Sequence, residues 1–218
     1  MKILAVETSG KTFSVALNED GKILASFIYD CGHIHSETLI PAMERILKDT
    51  GNTHQSINRF AVSTGPGSFT GIRVGMTAVK TMAHALNKPI VAIDALSILE
   101  KSFIDCRGMR LVAAIDALRN EIYVKSKDEI VIKHIDDFIK ENKKHKNKII
   151  VIGNAASVYK EKLEKNLGKS SVCLPSIFSI PQASVLALMA QHEKYKEYSK
   201  IEPLYIRRSW AEETAENR

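Results

Sequence analysis

Short apolar runs separated by turn signals organise the first third of the chain. Lys2 to Val6 is an apolar run that ends in Glu7, Thr8 to Lys11 is turn-like, and "TFSVAL" alternates as a second strand should. Asp20 and Gly21 predict a hairpin turn into "KILASFIY", so the first 29 residues read as a three-stranded meander. A helix is predicted from Ser36 to Asp49, with Ser36 as its cap, Gly51 as its stop and Pro41 in an early turn, where a missing N–H costs least. "RFAVST" is the next strand, Gly65 to Thr70 a loop, Gly71 to Leu86 a helix and "PIVAID" a strand.

After a connecting helix near Leu96 to Phe103, the same order begins again. "RLVAAID" is an apolar strand ending in an acid, Ala117 to Asn120 a turn, "EIYVKS" a strand, and Lys127–Asp128 a turn into "EIVIKH". "ILAVETSGKTFSVAL" and "LVAAIDALRNEIYV" thus share one layout, a weak internal repeat that predicts two related half-molecules. Helices at Asp136 to Glu141 and Ala155 to Leu167, with the strand "KIIVIGN" between them, complete the second half. "PQASVLALMAQHEKY" reads as a last helix and "EPLYIRRSW" as an extended tail. The expected division is 1–101 and 102–218, with the C-terminal tail as a segment able to return to the first lobe.

Composition narrows the class. With 44% hydrophobic and 26% charged residues in 218, the chain is expected to be a soluble globular protein. No apolar run approaches the ~18 residues of a membrane span, and the apolar stretch before Glu7 is too short for a signal peptide, so a cytoplasmic location is expected. Cys31, Cys106 and Cys173 are few, odd in number and without a C-x-x-C, which points to reduced thiols rather than disulfides or a zinc site. The net charge of +6 comes wholly from the second half, where 22 Lys and Arg face 16 Asp and Glu; residues 1–100 hold nine of each. Its densest part, Lys140 to Lys148 with five lysines, reads as a solvated loop, or else as a patch for RNA phosphates.

The stretch "VSTGPGSFTGIRVG", Val62 to Gly75, raises the question of chemistry. It is not a Walker loop, because no Gly-Lys-Ser/Thr follows. Gly65-x-Gly67, Gly71 and the later Asp94 resemble a dinucleotide fingerprint in layout, but the unit follows a meander that a Rossmann domain lacks. On a helical wheel from Gly71, apolar positions span an arc of about 220°, more than one sheet needs. Gly71, Gly75, Ala78, Met82 and Ala85 form a small-residue face that permits close approach of another helix, and the helix at 36–49 adds Leu39, Ile40, Met43 and Leu47. Arg73, Thr77, Lys80, His84 and Asn87 form the polar stripe.

Taken in order, "AVETS", "SVAL", "HSETLIPAMERIL", "STGPGSFTGIRVGM", "AAIDALRNEIYV" and "PLYIRRSWAE" resemble the TsaB (YeaZ) family over essentially the whole chain. The resemblance implies an α/β, actin-like, sugar-kinase/Hsp70-type ATPase fold of two lobes, each a mixed sheet flanked by helices. It also implies a non-catalytic paralogue of the TsaD transferase, acting in the synthesis of threonylcarbamoyladenosine beside the anticodon of ANN-decoding tRNAs. The implied partners are a TsaD-like catalytic subunit, a TsaE-like ATPase and a second copy when the chain is alone, with tRNA as substrate of the complex.

Compared with that fold, the residues look worn for chemistry. Glu7, Thr8, Ser9 and Lys11 occupy the first phosphate turn, a fair anion nest with Gly65, Gly67 and Arg73 nearby. The second turn offers Asp116 but no glycine, and the adenosine stretch only Gly153 and Asn154. His33 and His35 stand two apart, unlike the four-apart metal pair of TsaD-like proteins, so no metal is expected. No Ser-His-Asp or Cys-His set is legible, and "GSFTG" is not a G-x-S-x-G elbow. The expectation is a scaffold without a catalytic residue or cofactor of its own, with ATP or ADP at most at the partner interface. The rival readings are a small-molecule kinase using Asp116, and a tRNA-binding module.

Overall fold

In a computed structural model, residues 1–30, 35–103, 109–126, 129–143, 149–168, 172–173 and 179–206 are described. The meander is β1 (Lys2–Glu7), β2 (Thr12–Glu19) and β3 (Lys22–Asp30), turned at Asp20 and Gly21, both in the left-handed region. There follow α1 (His35–Asp49), β4 (Arg59–Ser63), α2 (Phe69–Ala85), β5 (Ile90–Ile93) and α3 (Ala95–Lys101). The second half runs β6 (Arg110–Asp116), β7 (Glu121–Ser126), β8 (Glu129–His134), α4 (Ile135–Lys143), β9 (Ile149–Ile152), α5 (Asn154–Val158), α6 (Lys160–Leu167), β10 (Val172–Cys173) and α7 (Ala183–Met189).

The repeat read from the sequence is present in space. One sheet has the order β3-β2-β1-β4-β5 and the other β8-β7-β6-β9-β10, each an antiparallel meander continued by parallel strands. Alternation along the strands gives the first sheet two apolar faces. Leu4, Val6, Phe13, Val15, Phe60 and Val62 face Leu39, Met43, Ile46 and Leu47 of α1 and Ile72, Met76 and Val79 of α2. On the other face the residues are smaller: Ala5, Ala16 and Ala61 let Ala183, Ala187 and Ala190 come close, beside Ile98 of α3.

Helix α3 joins the halves. Ile98 packs with the first sheet, whereas Ala95, Leu96 and Leu99 pack with Ala113, Ile115, Tyr123, Ile150 and Ile152 of the second. The layers are therefore α1 and α2, first sheet, α7 and α3, second sheet, then α4, α5 and α6. A polar seam completes the junction. The Lys125 ammonium of β7 donates to Ser97 Oγ and lies 3.6 Å from Asp94 and 3.8 Å from Glu100. Burial raises the Glu100 carboxyl above its ordinary value, and Lys125 opposes that rise.

Three boundaries differ from the sequence expectation. The stretch 155–167 is two helices with a break at Tyr159, whose N–H is bonded to Ala155 O. The last helix stops at Met189 rather than continuing to Tyr195, and the chain turns so that the Gln191 amide reaches Asn18 Oδ1 at 2.5 Å. Helix α2 starts at Phe69, because the Ser68 side chain accepts a hydrogen bond from Gly71 N and caps it. Beyond α7 the chain stays with the first sheet: Lys196 bridges to Ile90, Leu204 N donates to Thr64 O, and Ile201 is buried in the α1/α2 core.

Because Leu99 is fully buried between the sheets, Leu99→Ala is expected to lower unfolding free energy by about 2–5 kcal/mol in urea titration. A loss below about 1 kcal/mol would mean that α3 is not the wedge between the lobes.

Candidate functional site

The glycine-rich loop between β4 and α2 lies directly on the turn that follows β1. Ser68 N donates to Ser9 O at 2.7 Å, Ala95 N to Gly65 O at 2.6 Å, and Thr64 N to Ile93 O at 2.9 Å. A Cβ at Gly67 would fall well inside contact distance of the Ser9 carbonyl, and a Cβ at Gly75 would meet the Thr8 hydroxyl and methyl. Gly67 also has a φ of +153° and Gly65 of +91°. These glycines let the backbone of α2 and its loop press on Thr8 and Ser9.

The anion nest expected at Glu7, Thr8, Ser9 and Lys11 is consequently closed. Glu7, Thr8 and Ser9 are buried, and Lys11 is exposed at the rim. Ser9 N donates to Glu7 Oε1 at 2.8 Å, within the chain rather than outward. Burial pushes the Glu7 carboxyl up to about 7, and hydrogen bonds from Ser9 and Ser63 hold it from rising further. Thr8 Oγ1 is buried and has no hydrogen-bond partner among the described residues. Arg73 was expected to reach this turn. It lies instead on the outward side of α2, where Nε donates to the Tyr205 hydroxyl at 2.7 Å.

The second turn keeps its acid but uses it locally. Asp116 Oδ1 accepts from Leu118 N at 3.1 Å and from the Tyr159 hydroxyl at 3.0 Å, and Asn154 Oδ1 accepts from Asp116 N at 2.8 Å. Burial first, then the bond to Asp116, raises the Tyr159 phenol to about 12. Leu118, Arg119 and Asn120 all take positive φ, so the missing glycine is replaced by strained ordinary residues. Gly153 repeats the motif of Gly67: its Cβ would collide with the Ala114 carbonyl. Asp94 caps α3, accepting from Ser97 N at 2.8 Å and Ser97 Oγ at 2.6 Å.

For the proposed partner face, the structure narrows the residues. Leu39, Met43 and Leu47 are buried in the core of the first lobe, because they face the sheet. Gly71 and Gly75 are buried too, Gly75 being spent on Thr8 rather than on a neighbouring helix. Ala85 and Ile40 are exposed, Ala78 and Met82 half-buried. The polar stripe is partly covered by the C-terminal tail: Lys80 Nζ donates to Ile201 O at 2.9 Å, and the His84 and Tyr198 rings lie 4.5 Å apart. Arg73 and His84, both exposed, border an arc of α2 of about 100° that carries no charge. Thr70, Thr77, Thr81 and Ala85 are exposed along it, and Val74 and Ala78 are half-buried against the core.

Sequence reasoning missed the threonine half of that arc; it expects a tail able to return to the first lobe, but not that the tail covers the basic half of α2. No local signal marks either, since Ile201 and Tyr205 lie more than a hundred residues from the helix they cover. Cys31, Cys106, His33 and Lys144 to Lys148 lie outside the described residues, as do the side chains of His35 and Cys173. Of the basic run, Lys140 lies 3.5 Å from Asp137, and Lys143 bonds Asn166 at 3.0 Å. Among the described residues, no three His, Cys, Asp or Glu side chains converge as a metal site, and no helix is long and apolar enough to cross a membrane.

Two mixed sheets of matching order, joined by a helix and flanked by helices, define the actin-like, sugar-kinase/Hsp70-type ATPase class. A family model described as TsaD, tRNA N6-adenosine threonylcarbamoyltransferase, matches residues 30–213. The "tRNA threonylcarbamoyladenosine biosynthesis protein TsaB" of Bacillus subtilis is 27% identical, over 97% of this chain and 96% of its own. A Pseudomonas aeruginosa crystal structure, of an uncharacterised protein with similarity to peptidase YeaZ, superposes with a TM-score of 0.73 at 23% identity, covering 94% of this chain and 99% of that one. The activator of the 2-hydroxyisocaproyl-CoA dehydratase from Clostridium difficile, with bound ADPNP, shares the fold at a TM-score of 0.51 and 11% identity, over 100% of this chain and 98% of that one. The chain belongs to the TsaB (YeaZ) branch of the TsaD family.

Two predictions test the closed turn. Gly75→Ala should destabilise by about 1–3 kcal/mol through overpacking, and Thr8→Ala in the same chain should recover most of that loss, as a double-mutant cycle by thermal or urea unfolding would show. Additive effects would mean that Gly75 is not packed on Thr8. For Glu7, the folded-state value of about 7 exceeds the ordinary carboxyl value of 4.5. The folded state therefore holds a proton that the unfolded chain has released, and stability falls as pH rises from about 4.5 to 7. Glu7→Gln should remove that slope and be about 2–4 kcal/mol more stable than the parent at pH 8.

Proposed function

We propose that this chain is a non-catalytic scaffold and activating subunit in tRNA threonylcarbamoyladenosine biosynthesis, binding a TsaD-like catalytic subunit of its own fold. The observation that carries the reading is the uncharged arc of α2 lined by Thr70, Val74, Thr77, Ala78, Thr81 and Ala85, together with exposed Ile40 of α1. A surface helix of a chain with 26% charged residues ordinarily turns charge to solvent; here the open side offers threonine, alanine and valine, which suits a second helix at short distance. The turn at Glu7–Ser9 supports the same reading, since its residues are buried and the loop and first turns of α2 pack on Thr8 and Ser9.

In this reading the chain works in the cytoplasm and the arc serves a second copy when the catalytic subunit is absent. A TsaE-like ATPase joins the assembly, and tRNA is substrate of the complex rather than of this chain alone. No cofactor belongs to the chain itself; ATP or ADP binds where the subunits meet.

Ala78→Trp places an indole in the middle of the arc. It should weaken binding of the catalytic subunit by about a hundredfold or more, measured by calorimetry on a chain whose melting curve shows it folded, since Ala78 also packs in part on the first-lobe core. Affinity within twofold of the parent would remove α2 from the interface.

A further inference from the structure

Beside the uncharged arc lies a cluster that helix packing alone does not require. Phe69, Arg73 and Thr77 form one i, i+4 row on α2, adjacent to the row of Thr70, Val74 and Ala78. The Arg73 guanidinium carbon is 3.8 Å from the centroid of the Phe69 ring and 5.5 Å from that of Tyr205, and the two rings are 5.0 Å apart. Phe69 and Tyr205 nevertheless remain 39% and 45% exposed. Arg73 donates Nε to the Tyr205 hydroxyl, and among the described residues it has no carboxylate partner.

We propose that Phe69, Arg73 and Tyr205 are the anchor of the subunit interface, with the C-terminal tail forming part of the docking surface and the partner supplying a carboxylate to Arg73. The inference rests on the scaffold reading and sharpens it. Stacking on the rings and the bond to Tyr205 fix the guanidinium before any partner arrives, so its ordering cost is already met. The terminal guanidinium nitrogens suit a bidentate carboxylate, which the flanking rings shield from water once a partner covers them. Arginine and tyrosine at the edge of a small, uncharged face have the make-up of an interface hot spot. The cluster is continuous with the arc on the same helix, so one partner surface can cover both.

Binding of the full-length chain to its own catalytic subunit, followed by calorimetry, tests this. Arg73→Ala and Phe69→Ala should each weaken affinity about tenfold or more, and Arg73→Lys, which keeps charge but loses the planar fork, should fall between. Tyr195→Ala serves as control, since that ring lies on the same tail but over Arg59, 5.2 Å from its guanidinium carbon; it should bind within about twofold of the parent. Melting curves establish that each variant is folded, and the exposed Arg73→Lys change guards against misfolding of the others. If Arg73→Ala and Arg73→Lys both bind within twofold of the parent while Ala78→Trp abolishes binding, the anchor is wrong and the face stands. If Ala78→Trp also binds normally, the scaffold face itself falls. Loss of binding to a tRNA anticodon stem-loop by the isolated Arg73→Ala chain, with subunit affinity unchanged, would overturn the anchor in favour of a phosphate site.

Discussion

The absence of a side chain at Gly67 and Gly75 governs the first lobe. With no Cβ at either position, α2 and its entry loop sit directly on Thr8 and Ser9, at a distance that alanine could not reach. Everything that follows depends on that contact. It closes the turn after β1, buries Glu7 and leaves its carboxyl near neutrality. It also fixes the rotation of α2, so that one side faces the sheet, one receives the tail and one remains open. A helix set back by the width of a methyl group would reopen the turn and lose the tail contacts together.

The second lobe shows how the same plan tolerates a different local solution. Gly153 approaches Ala114 as Gly67 approaches Ser9, and both follow the strand beside the first strand of their sheet. The turn after β6, however, has no glycine, and Leu118, Arg119 and Asn120 adopt left-handed conformations. Backbone conformations of that kind cost about 1 kcal/mol or more each for ordinary residues. Their compensation is visible: Ala117 N bonds Glu121 O at 2.9 Å, Glu121 N bonds Leu118 O at 3.0 Å, Ile135 N bonds Asn120 O at 2.8 Å, and Asp116 receives Leu118 N. A carboxylate engaged in holding its own turn, and shared with the Tyr159 hydroxyl, is a structural group first.

The strands and their order were legible because alternation, acidic strand ends and the Asp20–Gly21 turn are local signals. The two-lobed repeat followed from them, and the family's quoted segments placed the fold. The site was legible only in part. Periodicity told which residues share a side of α2, but not what covers each side. Gly75 and Ala78 belong to one small-residue face in sequence, yet the first packs on Thr8 while the second stays half-open. Leu39, Met43 and Leu47 carry the same apolar pattern whether they face a sheet or a partner. Nothing near Tyr159 in sequence announces the helix break either, since neither proline nor glycine stands there.

The polar stripe of α2 shows most clearly why covering partners escape sequence patterns. Arg73, Lys80 and His84 read in sequence only as members of a polar stripe, with Arg73 also near the first phosphate turn. In the structure the tail meets them with groups that have no compositional signature: a backbone carbonyl at Ile201, and phenol rings at Tyr198 and Tyr205. Such contacts draw no acidic residue into the sequence that a charge pattern could reveal. Burial of Ile201 in the α1/α2 core then holds the tail in place, so that cations and aromatic rings form one rigid edge next to an uncharged helix face. An edge fixed in this way costs little further ordering on association.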